Sequence, residues 1–135
     1  MKTVKLFSPV LFIVIAMLCA GFVYQDKKPW NVPADKAKIT NPVASNAASL
    51  KDGKELWAKH CQSCHGKSGL GDGPKAAQLK TEPGDFSQAT TQKQSDGSLF
   101  YKISEGRDDM PSFKKKIPEA EDIWNVVNYL RTLKK

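Results

Sequence analysis

The residues best able to do chemistry stand together in one pentapeptide, Cys61-Gln62-Ser63-Cys64-His65. C-x-x-C-H is the spacing at which c-type haem is attached. Two thiols three residues apart at a helix end can add to the two vinyl groups on one edge of the porphyrin. The histidine beside the second thiol then falls beneath the iron and donates an imidazole nitrogen. Other chemistries use parts of this pattern. A thioredoxin-like redox pair also has C-x-x-C, but in a βαβ context, whereas the apolar residues here recur at helical spacing. A structural zinc site needs four ligands, usually as two pairs. This chain has no second cysteine pair, and its one other histidine is His60. The motif is therefore read as holding one haem c, attached through Cys61 and Cys64, with His65 on the iron.

A second iron ligand has to come from elsewhere in the chain. Met1 and Met17 lie in an apolar N-terminal segment, which leaves Met110 as the methionine of the remainder. It stands 45 residues beyond His65, in a loop bounded by Gly106 and Pro111. A thioether on the far side of the iron completes His/Met ligation, which raises the reduction potential. Most methionines fill gaps in cores, but polar flanks, Asp109 among them, suit Met110 poorly to that role. His60 shares a helix with the attachment motif and cannot readily reach the opposite haem face, so it is read as a solvated or surface-packed histidine.

The elements that must position these groups are short helices. The chain has 135 residues, enough for one domain, with 40% hydrophobic and 26% charged residues. That composition excludes a disordered polyampholyte, a collagen-like chain and a polytopic membrane protein. Lys2 and Lys5 precede nineteen uncharged residues, Leu6 to Tyr24. Residues 1–24 are thus a signal peptide, with Ala20 and Gly21 as small residues near a cleavage site, or a retained N-terminal membrane anchor. A lipidated Cys19 is the third reading, opposed by bulky Leu18. Each of the three exports the remainder, so the expected location is the periplasm. Residues 25–48, with Pro29, Pro33 and Pro42 and no apolar period, read as an extended arm or tether.

Residues 49–135 read as the folded domain. A first helix with Ser49 as N-cap carries Leu50, Gly53, Leu56, Trp57 and Cys61 at helical spacing. Residues 66–74 form a glycine-rich loop. Its Gly66-Lys67-Ser68 resembles the end of a phosphate-binding loop, but Cys61 occupies the required earlier glycine position. A helix capped by Asp96 carries Leu99, Phe100 and Ile103 and stops at Gly106. Pro118 opens a last helix with Ile123, Val126, Val127 and Leu130 along one face. No convincing strand or repeat is present, so the fold class is all-α with long loops. Such loops around short helices imply that something other than side chains fills the middle.

With these segments in view, the chain resembles a class I monohaem cytochrome c, similar to the cytochrome c domains grouped with the third subunit of cbb-type oxidases. The resemblance runs from Leu50 to Leu133. Residues 52–65 match the first helix and haem motif, 66–74 the loop that follows, and 110–113 with 122–131 the distal ligand loop and final helix. It implies N- and C-terminal helices crossing around one covalently bound haem. Gly53 and Trp57 would meet the last helix at that crossing, with Tyr129 as the facing aromatic. It also implies that Pro74 offers its carbonyl to the non-ligating nitrogen of His65. Phe86, Leu99, Phe100 and Phe113 are pocket or core candidates, and Arg107 and Trp30 are candidates to reach a haem propionate.

The function expected from these readings is periplasmic electron transfer on a six-coordinate haem, with no catalytic residue. The alternative is an electron-transfer subunit of a larger membrane oxidase or dehydrogenase. A haem enzyme or gas sensor with a labile distal side is a further rival. The formal charge is +7, and without Lys2 and Lys5 the chain keeps 19 basic side chains against 14 acidic ones. Lys114-Lys115-Lys116 directly follows the methionine loop. At an exposed haem edge it would steer redox partners with acidic docking surfaces. Nucleic acid is not an expected partner, since no recognition helix or aromatic platform accompanies the basic run.

Overall fold

The computed structural model describes residues 29–135. The expected signal peptide or anchor at 1–24 lies outside the described residues. Asn31–Lys135 form one compact unit; of the preceding unit, Met1–Trp30, only Pro29 and Trp30 are described. Among the described residues six helices run in order: α1 Ala34–Ala37, α2 Ala47–His60, α3 Gln62–His65, α4 Ala89–Gln92, α5 Asp96–Glu105 and α6 Ala120–Arg131. A 3-10 turn at Ala76–Gln78 separates α3 from α4. Among the described residues there is no strand, only a single bridge between Arg107 and Met110. No helix among them is long and apolar enough to cross a membrane.

The first long helix starts earlier than expected. Asn46, not Ser49, is the N-cap of α2, and its side chain accepts a hydrogen bond from the Ser49 N–H at 3.0 Å. Ser49 is turned inward instead, on one stripe with Gly53 and Trp57 at i, i+4 and i+8. Its hydroxyl accepts from the Asn128 side-chain amide at 2.8 Å. Helix α5 is likewise capped one residue early, by Ser95. Asp96 becomes its first residue and pairs with Arg131 near the end of α6. Pro118 does not open the last helix, because the backbone turns helical only after Glu119. In the first two cases a polar side chain three residues or one residue upstream takes the cap, and spacing alone does not rank such competitors.

Helices α2 and α6 cross at the centre of the domain. Ile123, Val126, Val127 and Leu130 are all buried, as their spacing predicts, and so are Trp124, Asn125 and Asn128. Glycine at position 53 sets the distance between the helices. A Cβ built there would lie 2.1 Å from the Asn125 carbonyl oxygen and 3.0 Å from the Tyr129 Cβ. Trp57 packs beside Tyr129 with ring centroids 6.0 Å apart. The Gly53→Ala variant should therefore be destabilised by about 3 kcal/mol. Overpacking at the contact outweighs the roughly 1 kcal/mol by which alanine favours a helix. For a domain this size that is a fall in Tm on the order of 10–20 °C, measurable by thermal unfolding followed by circular dichroism.

From residue 31 onward, the segment expected as an extended arm is part of the compact unit. Asn41 donates to the Asn128 side-chain oxygen at 2.9 Å and to the Trp124 carbonyl at 3.4 Å. Asn128 in turn donates to the Val43 carbonyl at 3.1 Å. Ser95 donates to the Ala37 carbonyl at 2.6 Å, fixing α1 against α5. These attachments are polar, which is why a search for apolar periodicity passes over them.

Candidate functional site

Cys61 ends α2, and its N–H still donates to the Trp57 carbonyl at 2.9 Å. The chain then continues directly into α3. The Cys61 carbonyl accepts from the N–H groups of Cys64 and His65 at 3.1 and 3.0 Å. This single turn places the two cysteines on one side, as an i, i+3 pair must lie on a helix. Neither is in a disulfide. Burial, with Cys64 nearby as a smaller cause, pushes the Cys61 thiol up to about 12. A dithiol oxidoreductase needs the opposite, a thiol lowered toward neutrality. Among the described residues, no three His, Cys, Asp or Glu side chains group as a metal cluster. The zinc reading therefore has no second set of ligands.

The glycine-rich loop folds back onto this turn. Gly71 donates to the His65 carbonyl, Gly73 to that of Cys64 and Lys75 to that of Ser63, at 2.9, 3.1 and 2.9 Å. A Cβ at position 73 would sit 2.6 Å from the Cys64 backbone, so only glycine lets the loop lie this close.

His65 stands between two aromatic rings, Trp57 at 5.6 Å and Phe86 at 5.2 Å between centroids. The Trp57 indole N–H donates to the Gly66 carbonyl at 3.2 Å, and the Phe86 N–H to the Gly69 carbonyl at 2.7 Å. These bonds fix the walls on both sides. Burial pushes the His65 pKa down to about 4, partly opposed by the Pro83 carbonyl, so the ring is neutral at neutral pH. Its Nδ1 is buried and has no hydrogen-bond partner. The expected bond from Pro74 is not formed. The carbonyl that acts on the ring is that of Pro83, weakly and from beyond normal hydrogen-bonding geometry.

Met110 arrives from a separate loop. Arg107 and Met110 exchange both backbone hydrogen bonds, at 2.8 and 2.9 Å, around a turn in which Asp108 has φ 51°. Ser112 donates to the Ser104 carbonyl at 2.6 Å, and Phe113 to that of Ile103 at 3.2 Å, tying the loop to α5. Asp109 accepts from the backbone N–H groups of Lys80 and Thr81 at 2.7 and 3.1 Å. Nothing in the sequence reading singled out Asp109 for this role. Met110 itself is half-buried and packs against the core cluster, as Phe86 does. His60 lies at the end of α2 with its ring 6.1 Å from that of Phe113. Partial burial, then Lys59 and Lys116, lower its pKa.

Of the other aromatic candidates, Phe113 and Leu99 are buried in the core, and Phe100 stacks on Trp124 at 4.1 Å. The set fits a covalently held haem. Two free thiols stand one turn apart, followed by a neutral imidazole with an unpartnered buried nitrogen, and a thioether lies on another loop.

The fold is that of an all-α c-type cytochrome domain. Residues 48–130 match the family described as cytochrome c oxidase, cbb3-type, subunit III, and the chain belongs to that family. Among solved structures, a protein described as the KustC0563 c-type cytochrome is 32% identical, with a TM-score of 0.55. The match covers 62% of this chain and 99% of that one. A chain of the Kuenenia stuttgartiensis reducing HAO-like protein complex Kustc0457/Kustc0458 shares the fold, with a TM-score of 0.64 at 23% identity. That match covers 80% of this chain but 53% of the other, so this protein spans about half of it. No curated protein matches significantly.

Proposed function

We propose that the protein is a periplasmic electron carrier with a single haem c, held covalently by Cys61 and Cys64 and ligated by His65 and Met110. The observation that carries this is the neutral His65 imidazole, with one nitrogen unpartnered, directly beside two free thiols one helical turn apart. The bound haem supplies a ferric/ferrous couple, and the chain's own residues do the rest. Trp57 and Phe86 hold the His65 ring in place. The Pro83 carbonyl is the acceptor at hand for the imidazole nitrogen that does not face iron, and such a bond fixes the tautomer. Met110 would supply the second ligand, so that the same two side chains would serve both oxidation states and little rearrangement would accompany transfer. With both positions taken, no site is left for substrate, and the role is to carry electrons.

The apolar run after Lys2 and Lys5 supports export. Partners are redox proteins with acidic docking surfaces. Lys115 is exposed, while Lys114 pairs with Glu105 and Lys116 lies over the Phe113 ring at 5.7 Å. A second reading, a subunit feeding electrons within a larger complex, is favoured by the family's own description. A stoichiometric complex that survives purification would select it.

A redox titration followed at the haem absorption band tests the proposal. One reversible wave with a one-electron slope is expected. A two-electron slope without a haem band would return the motif to thiol chemistry. Ready binding of carbon monoxide by the reduced wild type would point to a sensor or enzyme.

A further inference from the structure

The described residues between the 3-10 turn and α4 form a strap that touches both halves of the candidate site. At one end Lys80 and Thr81 give their backbone N–H groups to the Asp109 carboxylate, the residue immediately before Met110. At the other end Phe86 packs on the His65 ring, with centroids 5.2 Å apart, and its N–H donates to the Gly69 carbonyl at 2.7 Å. Both hydrogen bonds to Asp109 use the same oxygen, Oδ2, and span 28 and 29 residues of chain. They join the methionine loop to the strap, and further hydrogen bonds tie that loop to α5.

We propose that Asp109 is a positioning residue for Met110, clamping the methionine loop onto the strap that also orients His65. This rests on the reading of Met110 as an iron ligand. The clamp is exposed to solvent, so it adds little to global stability. Its effect is local. Charge-assisted bonds to two N–H groups hold the turn shut against an opening that needs no unfolding of the helices. Asp109 lies inside that turn, directly after Asp108 in the left-handed region, where Arg107 and Met110 close a bridge. Without the carboxylate, the turn loses these two ties to the strap, and the thioether leaves the iron more often.

The test compares haem-loaded wild type, Asp109→Ala, Asp109→Asn and Met110→Ala. Carbon monoxide binding to the reduced form and the reduction potential are read for each. Asp109→Ala should bind carbon monoxide about tenfold more readily than wild type, the ratio that loss of one charge-assisted bond gives. Its potential should also be lower, while its Tm stays close to that of wild type. Asp109→Asn keeps an acceptor oxygen without the charge and should recover part of the wild-type behaviour, which an effect of charge alone would not produce. If Met110→Ala opens the iron while Asp109→Ala matches wild type in both readouts, the clamp is overturned and the ligand reading stands. If Met110→Ala also leaves carbon monoxide binding unchanged, the ligand reading falls and the clamp with it.

Discussion

Removing both thiols, in the Cys61→Ala/Cys64→Ala variant, should abolish covalent haem entirely. On a denaturing gel stained for haem, the wild-type band is expected to remain and the variant band to vanish. Total protein would be followed separately. The size of the effect comes from the chemistry: a thioether bond survives denaturation, and a ligand bond from His65 does not. Each single variant keeps one thioether and should keep a haem-positive band with a shifted absorption maximum. The geometry makes the prediction sharp. Cys61 and Cys64 stand on one face of one turn, with the Cys61 carbonyl accepting from the next two relevant N–H groups. Moving a thiol by one position would turn it about 100° away from its partner's side. A haem-positive band in the double variant would remove the motif from the site. Loss of haem should also cost stability, because anything that binds only the folded state shifts the folding equilibrium toward it.

The Met110→Ala variant should keep its covalent haem and its helices but present an open iron. Reduced wild type should be inert to carbon monoxide at equilibrium, and the reduced variant should bind it. The reduction potential should fall by on the order of 100 mV. A thioether stabilises ferrous over ferric iron, and each power of ten in that preference is worth about 59 mV for one electron. Any weaker ligand that takes the vacancy, water above all, favours the ferric state. An unchanged potential together with carbon monoxide inertness in the variant would show that another group holds the far side. His60 would be an unlikely substitute on geometric grounds: its ring is engaged against Phe113 at the end of the same helix that leads into the attachment turn.

The sequence carried the helical face of α6 and the attachment motif, because each is written in local spacing, whereas the close crossing at Gly53 followed from the family resemblance. Ile123, Val126, Val127 and Leu130 keep the helical period and are buried. A glycine placed between two apolar helix positions could be read as a near approach, and Asn125 and Tyr129 are what it approaches. The helix caps were less legible. Asn46 and Ser95 each won over a neighbour of similar cap propensity, since the choice depends on which side chain the core leaves free. Ser49 is the clearest instance, drawn inward by Asn128. The docking of residues 31–46 was hard to read, because it runs largely through hydrogen bonds of Asn41 and Ser95, with Val43 as an isolated apolar contact outside any periodic stripe. The substitution of Pro83 for Pro74 beside His65 depended on a loop path that local spacing does not encode. Asp109 escaped notice for the same reason, its partners lying 28 and 29 residues away.

The crossing of α2 and α6 also bears on the order of events during synthesis. Ser49 and Asn128, joined in the folded protein, are 79 residues apart along the chain. A contact that closes so long a loop forms late, after its entropic cost has been met. Until the ribosome has released the segment around Asn128, Trp57 has no Tyr129 to rest against and the turn bearing Cys61 and Cys64 has no packed floor. The polypeptide therefore passes through an interval in which both sulfurs stand open while the far end is still being made. That interval suits a modification that needs access to an unfolded peptide, and the arrival of the last helix ends it.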